Sequence, residues 1–83
     1  MKYRDRNEIL KQILGICLEP KTKTKIMYGA YLSYTQVQYY IEYCVKKELI
    51  ELNGNGTYHT TVTGKNALDL QNKLFSIIGE LPN

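Results

Sequence analysis

The chain has 83 residues, a length that provides a single domain with one modest core. With 43% hydrophobic and 23% charged residues its composition is globular, and no apolar run approaches the roughly 18 residues of a membrane span. Its basic start lacks the apolar segment of a signal peptide, so we expect a cytoplasmic protein without a membrane partner, and the net charge of +3 does not by itself identify a polyanionic partner.

The first predicted helix begins after Asp5, which has capping-box spacing with Glu8. Apolar residues then recur every three or four positions as far as Cys17. Pro20 restricts the residue before it to an extended conformation and ends the pattern. We therefore predict a helix from about residue 6 to about residue 18.

A short second helix is predicted to follow a run of alternating Lys and Thr at residues 21–25. Either Thr22 or Thr24 can cap it, and it closes around Tyr31. Lysine and threonine at a helix start supply both positive charge and hydroxyl donors, a combination suited to phosphate groups.

The third predicted helix begins at a strict capping box formed by Ser33 and Gln36, and it runs to about Lys47. Its apolar positions are spaced three and four apart, so they form one buried stripe. These positions are Val37, Tyr40, Ile41, Cys44 and Val45. The opposite arc carries Thr35, Gln38, Tyr39, Glu42 and Lys46.

A β-hairpin is predicted after the third helix. Leu49–Leu52 forms a short strand, two Asn-Gly pairs form the turn, and Thr57–Val62 is rich in strand-forming residues. Thr63 is then predicted to cap a last helix with apolar residues over about half of its circumference.

The predicted order of elements is helix, helix, helix, strand, strand, helix. A tight turn between two helices followed by a hairpin is typical of a winged helix-turn-helix, an α+β fold that is mainly α. Residues 1–63 would form this DNA-binding domain, and residues 64–83 would form a C-terminal dimerisation helix.

In this fold the third helix enters the major groove of double-stranded DNA. The residues predicted to contact bases are Thr35, Gln36, Gln38 and Tyr39. Those predicted to contact phosphates are Arg4, Arg6, Lys21, Thr22, Lys23, Thr24, Lys25, Ser33 and Lys46. The basic excess supports this placement, since residues 1–48 hold nine Lys and Arg against five Asp and Glu.

The last helix has more apolar surface than one small domain needs. Leu70, Leu74, Ile77 and Leu81 follow a four-three-four spacing that suits contact between two helices, and Ile78 lies on the same edge. We therefore expect a homodimer through this helix, against the alternative that the whole face packs on the first helix of its own chain.

The eight tyrosines have a simpler interpretation than stacking on single-stranded bases. We expect Tyr28, Tyr31, Tyr40 and Tyr58 to fill the core with their hydroxyls at its edge.

Enzyme chemistry and metal binding lack their usual residues. Cys17 and Cys44 fall at apolar positions without metal-ligand spacing, and His59 has no second ligand or base beside it. We expect no catalytic residue, cofactor, metal or small-molecule substrate.

The sequence resembles a family of archaeal winged-helix DNA-binding proteins, which includes small transcriptional regulators and dimeric chromatin-type proteins. The matching segments are RNEILKQI at 6–13, TKTKIMYGAYLSY at 22–34, the stretch 41–50 that ends in KELI, and Tyr58 with Val62-Thr63. The sequence departs from the family pattern at Glu48 and Asn66, where glycine is frequent. The resemblance implies a homodimer that binds double-stranded DNA.

Three functions remain open from the sequence. The first is a sequence-specific transcriptional regulator, and the second is a nucleoid-associated protein that binds duplex DNA without preference. The third is a winged helix whose tyrosine-rich face binds a protein instead of DNA.

Overall fold

The computed structural model describes residues 4–70, and these residues form helices and short strands in the order expected of an α+β fold. The helices are α1 (Arg6–Ile16), α2 (Lys23–Gly29), α3 (Tyr34–Lys46) and α4, the helical residues 62–70. The strands are β1 (Lys21–Thr22), β2 (Ile50–Leu52) and β3 (Thr57–Thr60). The predicted mainly helical winged fold is confirmed, with β1 as an additional strand.

Both predicted capping boxes are present. The Glu8 backbone N–H donates to the Asp5 carboxylate at 2.8 Å, at the start of α1. At the start of α3, the Gln36 N–H donates to the Ser33 hydroxyl at 3.1 Å, and the Ser33 N–H donates to the Gln36 side chain at 2.9 Å. The cap of α2 is Thr22, one of the two predicted residues, so the helix begins at Lys23.

Helices α2 and α3 end in the same way, with a residue in the left-handed conformation. Tyr31 has φ 55° after α2, and Glu48 has φ 60° after α3. In each case the next N–H donates back across the last turn, from Leu32 to Met27 at 2.9 Å and from Leu49 to the carbonyl of residue 44 at 2.8 Å. This is the Schellman arrangement, and it usually has glycine where Tyr31 and Glu48 stand.

The sheet has the strand order β1-β3-β2, and both pairs are antiparallel. Lys21 pairs with Tyr58 on one side, while Ile50 pairs with Thr60 on the other. Strand β3 ends at Thr60, two residues before the predicted end. A two-residue strand such as β1 is too short to show alternation of polar and apolar residues, so the sequence does not predict it.

Helix α4 begins earlier than predicted, and its cap is Thr61 rather than Thr63. The Thr61 hydroxyl accepts the Gly64 N–H at 3.0 Å, and the Thr61 carbonyl accepts the Lys65 N–H at 2.8 Å. Gly64 lies so close to the chain before β2 that a Cβ atom there would stand 2.2 Å from the Leu49 carbonyl oxygen. The start of α4 is therefore fixed against the base of the hairpin.

The core lies between α1, α2, α3, the first strand of the hairpin and α4. Its buried apolar residues are Ile9, Ile13, Leu14, Cys17, Ile26, Ala30, Leu32, Val37, Ile41, Cys44, Ile50 and Leu68. One buried polar residue accompanies them in the described part of the chain, Thr60, whose hydroxyl donates to the Leu14 carbonyl at 2.7 Å. This bond ties β3 to the end of α1.

The tyrosines divide differently from the prediction. Tyr40 and Tyr58 pack against the core as expected. Tyr28 and Tyr31 do not, since they are 70% and 83% exposed at the end of α2. Val45, expected in the buried stripe of α3, is also exposed. The buried side chains of α1 and α2 in the core are aliphatic instead, namely Ile9, Ile13, Leu14 and Ile26.

Candidate nucleic-acid interface

The outward side of α3 is accessible because its apolar stripe is used by the core. Val37, Ile41 and Cys44 are buried, so the opposite arc faces solvent. We call the residues Thr35, Gln38, Tyr39, Glu42 and Lys46 the recognition face. Gln38 is half-buried and the others are exposed.

A chain of hydrogen bonds runs across this face from α2. The Lys23 ammonium donates to the Gln38 side-chain oxygen at 2.5 Å, and the Gln38 amide nitrogen donates to the Glu42 carboxylate at 2.6 Å. Lys23 and Gln38 were predicted to contact phosphate and base separately. Here they contact each other, so α2 fixes the position of a side chain on the recognition face.

Two cations flank the recognition face, each over a tyrosine ring of α3. The guanidinium of Arg6 stands 5.7 Å from the centre of the Tyr39 ring, and the ammonium of Lys23 stands 5.8 Å from that of Tyr34. Such cation–π contacts favour an orientation without neutralising the charge. The sequence does not reveal these pairs, because their partners are separated by 11 residues or more and belong to different helices.

The Gln36 side chain is partly committed to the protein. Its side-chain oxygen accepts the Ser33 N–H in the capping box. The side-chain NH2 group remains available to donate to a base. Ser33, predicted to contact phosphate, accepts the Gln36 N–H through its hydroxyl oxygen. A serine hydroxyl keeps its own proton for a further acceptor.

The other predicted phosphate ligands lie around the start of α2 and the end of α3. Lys21 is half-buried on β1 and stands 3.9 Å from the Glu19 carboxylate, while Thr22 serves as the helix cap. Thr24, Lys25 and Lys46 are exposed. The predicted run at residues 21–25 is thus divided between a strand and a helix.

Arg4 has a structural contact that the sequence did not predict. Its guanidinium donates to the Ala30 carbonyl, to the Tyr31 carbonyl at 3.1 Å and to the Gln12 side chain. These two carbonyls close α2, and an arginine at a helix C-terminus also complements the helix dipole. Arg4 therefore links the start of the chain to the turn before α3, and its predicted phosphate contact stays a prediction.

We call the hairpin of residues 50–60 the wing. The polar side chains at its tip form hydrogen bonds with one another. Asn53 donates to the Thr57 hydroxyl at 2.9 Å, and its side-chain oxygen lies 2.7 Å from Nδ1 of His59. Asn55 accepts both the N–H and the hydroxyl of Thr57. Gly56 closes the turn with φ 84°, a conformation that favours glycine.

The described part of the predicted dimerisation helix shows two different sides. Leu68 is buried in the core, whereas Leu70 is 70% exposed. The other residues of the predicted dimer contact, Leu74, Ile77, Ile78 and Leu81, lie outside the described residues. The division of the chain at residue 63 stays a prediction, although Leu68 shows that α4 contributes to the core.

The thiols are buried in the core. Burial raises the pKa of Cys17 from 9.0 to about 11, and burial together with the neighbouring Cys17 raises the pKa of Cys44 from 9.0 to about 12. Within residues 4–70, no three His, Cys, Asp or Glu side chains are grouped as a metal site would require. The same residues contain no helix long and apolar enough to cross a membrane.

These elements define the class of the protein. Two helices joined by a tight turn, with the second exposed along one side and followed by a small antiparallel hairpin, form a winged helix-turn-helix. The family model of the winged helix-turn-helix matches residues 3–79. The chain belongs to this family.

One solved structure gives a more particular likeness. The chain superposes with a TM-score of 0.76 on Sso10a-2, a DNA-binding protein from Sulfolobus solfataricus. The two are 26% identical, and the match covers 92% of this chain and 83% of that one. No curated protein sequence matches the chain significantly. The expected resemblance to archaeal winged-helix proteins is confirmed.

Proposed function

We propose that this protein binds double-stranded DNA as a homodimer, with α3 in the major groove, and that it acts as a transcriptional regulator. The observation that carries the proposal is the exposed recognition face with a cation on each flank, Arg6 on α1 and Lys23 on α2. With α3 in the major groove, the cations on its two flanks can contact the phosphate backbones on either side of the groove.

The family and the likeness to a DNA-binding protein support the same proposal. The groups at the start of α3 have suitable chemistry, since Thr35 can contact a thymine methyl group and Tyr39 offers a hydroxyl and a ring. Lys25 and Lys46 are exposed and extend the positive surface at the start of α2 and the end of α3.

The exposed Leu70 supports the homodimer. Its helix buries Leu68 in the core of its own chain, whereas the side with Leu70 is exposed within the described residues and is the side that we propose for the second copy. Leu74, Ile77 and Leu81 continue the same spacing in the sequence. Sedimentation equilibrium should give a dimer for the native chain and a shift toward monomer for Leu70→Glu, with Lys65→Glu as the control, since Lys65 is exposed and lies about 140° around the helix from Leu70. A monomeric native chain would contradict the dimer.

The DNA proposal is tested by fluorescence anisotropy with labelled duplexes over a range of salt concentrations. We expect binding whose salt slope falls by about 0.9 for each lysine lost, so by about 1.8 for the double variant Lys23→Ala, Lys25→Ala. Lys65→Ala removes an exposed lysine of α4 and serves as the control. Failure of the native chain to bind any duplex at low salt would reject the proposal.

A second candidate is a nucleoid protein that binds duplex DNA without sequence preference. It is favoured by one observation, namely that the oxygens of Gln36 and Gln38 are already hydrogen-bonded within the protein. Fewer base-reading groups then remain on α3. Equal affinity for unrelated duplexes with a steep salt dependence would favour this candidate, whereas a preference of about 1000-fold or more is typical of a specific regulator.

A further inference from the structure

Glu42 is an acidic residue in the middle of a surface otherwise suited to a polyanion. At 100° per residue, it falls within about 60° of Thr35, Tyr39 and Lys46 around α3. Its side chain is exposed, so packing of the core does not require a carboxylate there. We therefore looked to the ligand of this surface for the role of the Glu42 carboxylate.

The carboxylate is held in a fixed direction but is not neutralised by the contact that holds it. Its bond comes from the neutral amide of Gln38 at 2.6 Å, which in turn is held by Lys23 at 2.5 Å. Among residues 4–70, neither of the two ion pairs, Lys21 with Glu19 and His59 with Glu51, involves Glu42. An oriented carboxylate with unused lone pairs is a directed hydrogen-bond acceptor.

In the major groove such an acceptor distinguishes between bases. Cytosine presents its N4 amino group and adenine its N6 amino group, whereas thymine O4 and guanine O6 and N7 are acceptors. An ionised carboxylate cannot donate, so it repels those acceptors as well as the nearby phosphates. Placing Glu42 in the groove is therefore favourable where a base amino group donates a hydrogen bond to its carboxylate.

We propose that Glu42 is a specificity-determining residue that accepts a hydrogen bond from the exocyclic amino group of one base in the major groove. This inference rests on the proposed binding of double-stranded DNA. Glu42 follows Thr35 by seven residues, or about 10 Å along the helix, which corresponds to about three base pairs. The two residues thus read opposite ends of a short site, and Lys23 and Gln38 position the carboxylate at its end.

The test is selection of bound duplexes from a random library with the native chain, Glu42→Gln and Asp69→Asn. Both variants raise the net charge by one, but Asp69 is an exposed residue of α4. We expect the native chain to select an amino-bearing base at one position, and Asp69→Asn to select the same motif. Glutamine both donates and accepts, so Glu42→Gln should relax the preference at that position by about fivefold or more and keep the rest of the motif.

Titrations of duplexes with cytosine, adenine, guanine or thymine at that position then identify the amino group. Tight binding of the cytosine duplex assigns N4, and tight binding of the adenine duplex assigns N6. An unchanged motif in Glu42→Gln would overturn the inference while the DNA-binding proposal stands. So would a native chain that binds every duplex equally. A native chain that binds no duplex would overturn both, and unchanged melting temperatures exclude misfolding of the variants.

Discussion

The recognition face and the wing both present polar side chains to solvent, but they use them in opposite ways. At the wing tip Asn53, Asn55 and Thr57 bond to one another and shape the turn. On the recognition face only Gln38 and Glu42 are hydrogen-bonded in this way, whereas the exposed Thr35, Tyr39 and Lys46 extend outward. The charges of Arg6 and Lys23 beside it lie over neutral rings.

The difference follows from what each element has to stabilise. A short hairpin gains little from its own core contacts, so its polar groups are needed to fix the turn. Helix α3 already satisfies its backbone internally and buries an apolar stripe, which leaves its outer side chains available. We therefore expect changes in the wing and at its base to reduce stability, and changes around the recognition face to reduce DNA affinity.

The largest expected effect is at Gly64, where α4 meets the base of the wing. Gly64→Ala would place a Cβ atom 2.2 Å from the Leu49 carbonyl oxygen, so the backbone must shift. We expect a loss of about 3 kcal/mol in the free energy of unfolding, measured by urea denaturation. Gly15→Ala is the control, since its Cβ meets nothing within 4 Å and the change in a helix should stabilise by up to about 1 kcal/mol. Equal effects of the two would show that the wing base is not tightly packed.

The thiols of Cys17 and Cys44, which are buried in the core, should make stability fall at alkaline pH. Below pH 9.0 both states keep their thiol protons, but above it the unfolded chain ionises while the native thiols, with pKa values raised to about 11 and about 12, do not. Each thiol should therefore lower the free energy of unfolding by about 1.4 kcal/mol per pH unit between pH 9 and about 11.

Urea denaturation from about pH 8 to about pH 10.5 measures this dependence. The comparison is between the native chain and Cys44→Ala, so that contributions from groups other than Cys44 cancel. The variant should lose the contribution of Cys44 and show a shallower decline above pH 9. Parallel curves for the two proteins would contradict the raised pKa of Cys44.

A smaller loss of stability is expected at Thr60, the wing residue that bonds to α1. Thr60→Val keeps the shape but removes the hydroxyl that donates to the Leu14 carbonyl at 2.7 Å. We expect a loss of about 1.5 kcal/mol, because the buried carbonyl loses a partner. The matched control is Thr63→Val on the exposed side of α4, with an expected change within about 0.5 kcal/mol. A neutral Thr60→Val would mean that the wing is held by its backbone pairing alone.

The smallest expected effects come from one substitution beside the recognition face and one in the wing, and they distinguish the roles of these two regions most directly. Arg6→Ala should reduce the salt slope of DNA binding by about 0.9 and leave the urea midpoint almost unchanged, because Arg6 is exposed and contacts a neutral ring. Asn53→Ala should do the reverse, costing about 1 kcal/mol of stability through the lost turn bonds while the salt slope stays the same. A reduced salt slope in Asn53→Ala would show that the wing contacts DNA.

Much of the fold follows from local patterns. The capping boxes at Asp5 and Ser33 fix two helix starts, because a side chain and a backbone N–H only three residues apart need no distant partner. The Asn-Gly pairs likewise place the turn of the wing. Predictions that depended on neighbours in space were less accurate, as the exposed Tyr28 and Tyr31 show. The cap of α4 is also local, but two threonines two residues apart offered a cap, and the predicted one was wrong.

The recognition face could be predicted in part for the same reason. Helical periodicity separates its outer residues from the buried stripe, so Thr35 and Tyr39 are exposed as expected. The use of Arg4 to close α2 was not predictable, nor was the chain from Lys23 through Gln38 to Glu42. The contacts of Arg4 with the end of α2 and of Lys23 with Gln38 join segments far apart in the sequence, and their geometry depends on how the helices pack.

The sequence by itself determined the order of the helices and the hairpin, the caps of α1 and α3, and most of the buried stripe of α3, because these depend on side chains within a few residues of each other. The tertiary structure alone decided which polar groups are already bonded inside the protein and which remain exposed. The reason is that packing of α1, α2 and the wing around α3 brings together residues far apart in the chain. That packing sets Arg6 and Lys23 on opposite flanks of the recognition face and gives Glu42 its direction.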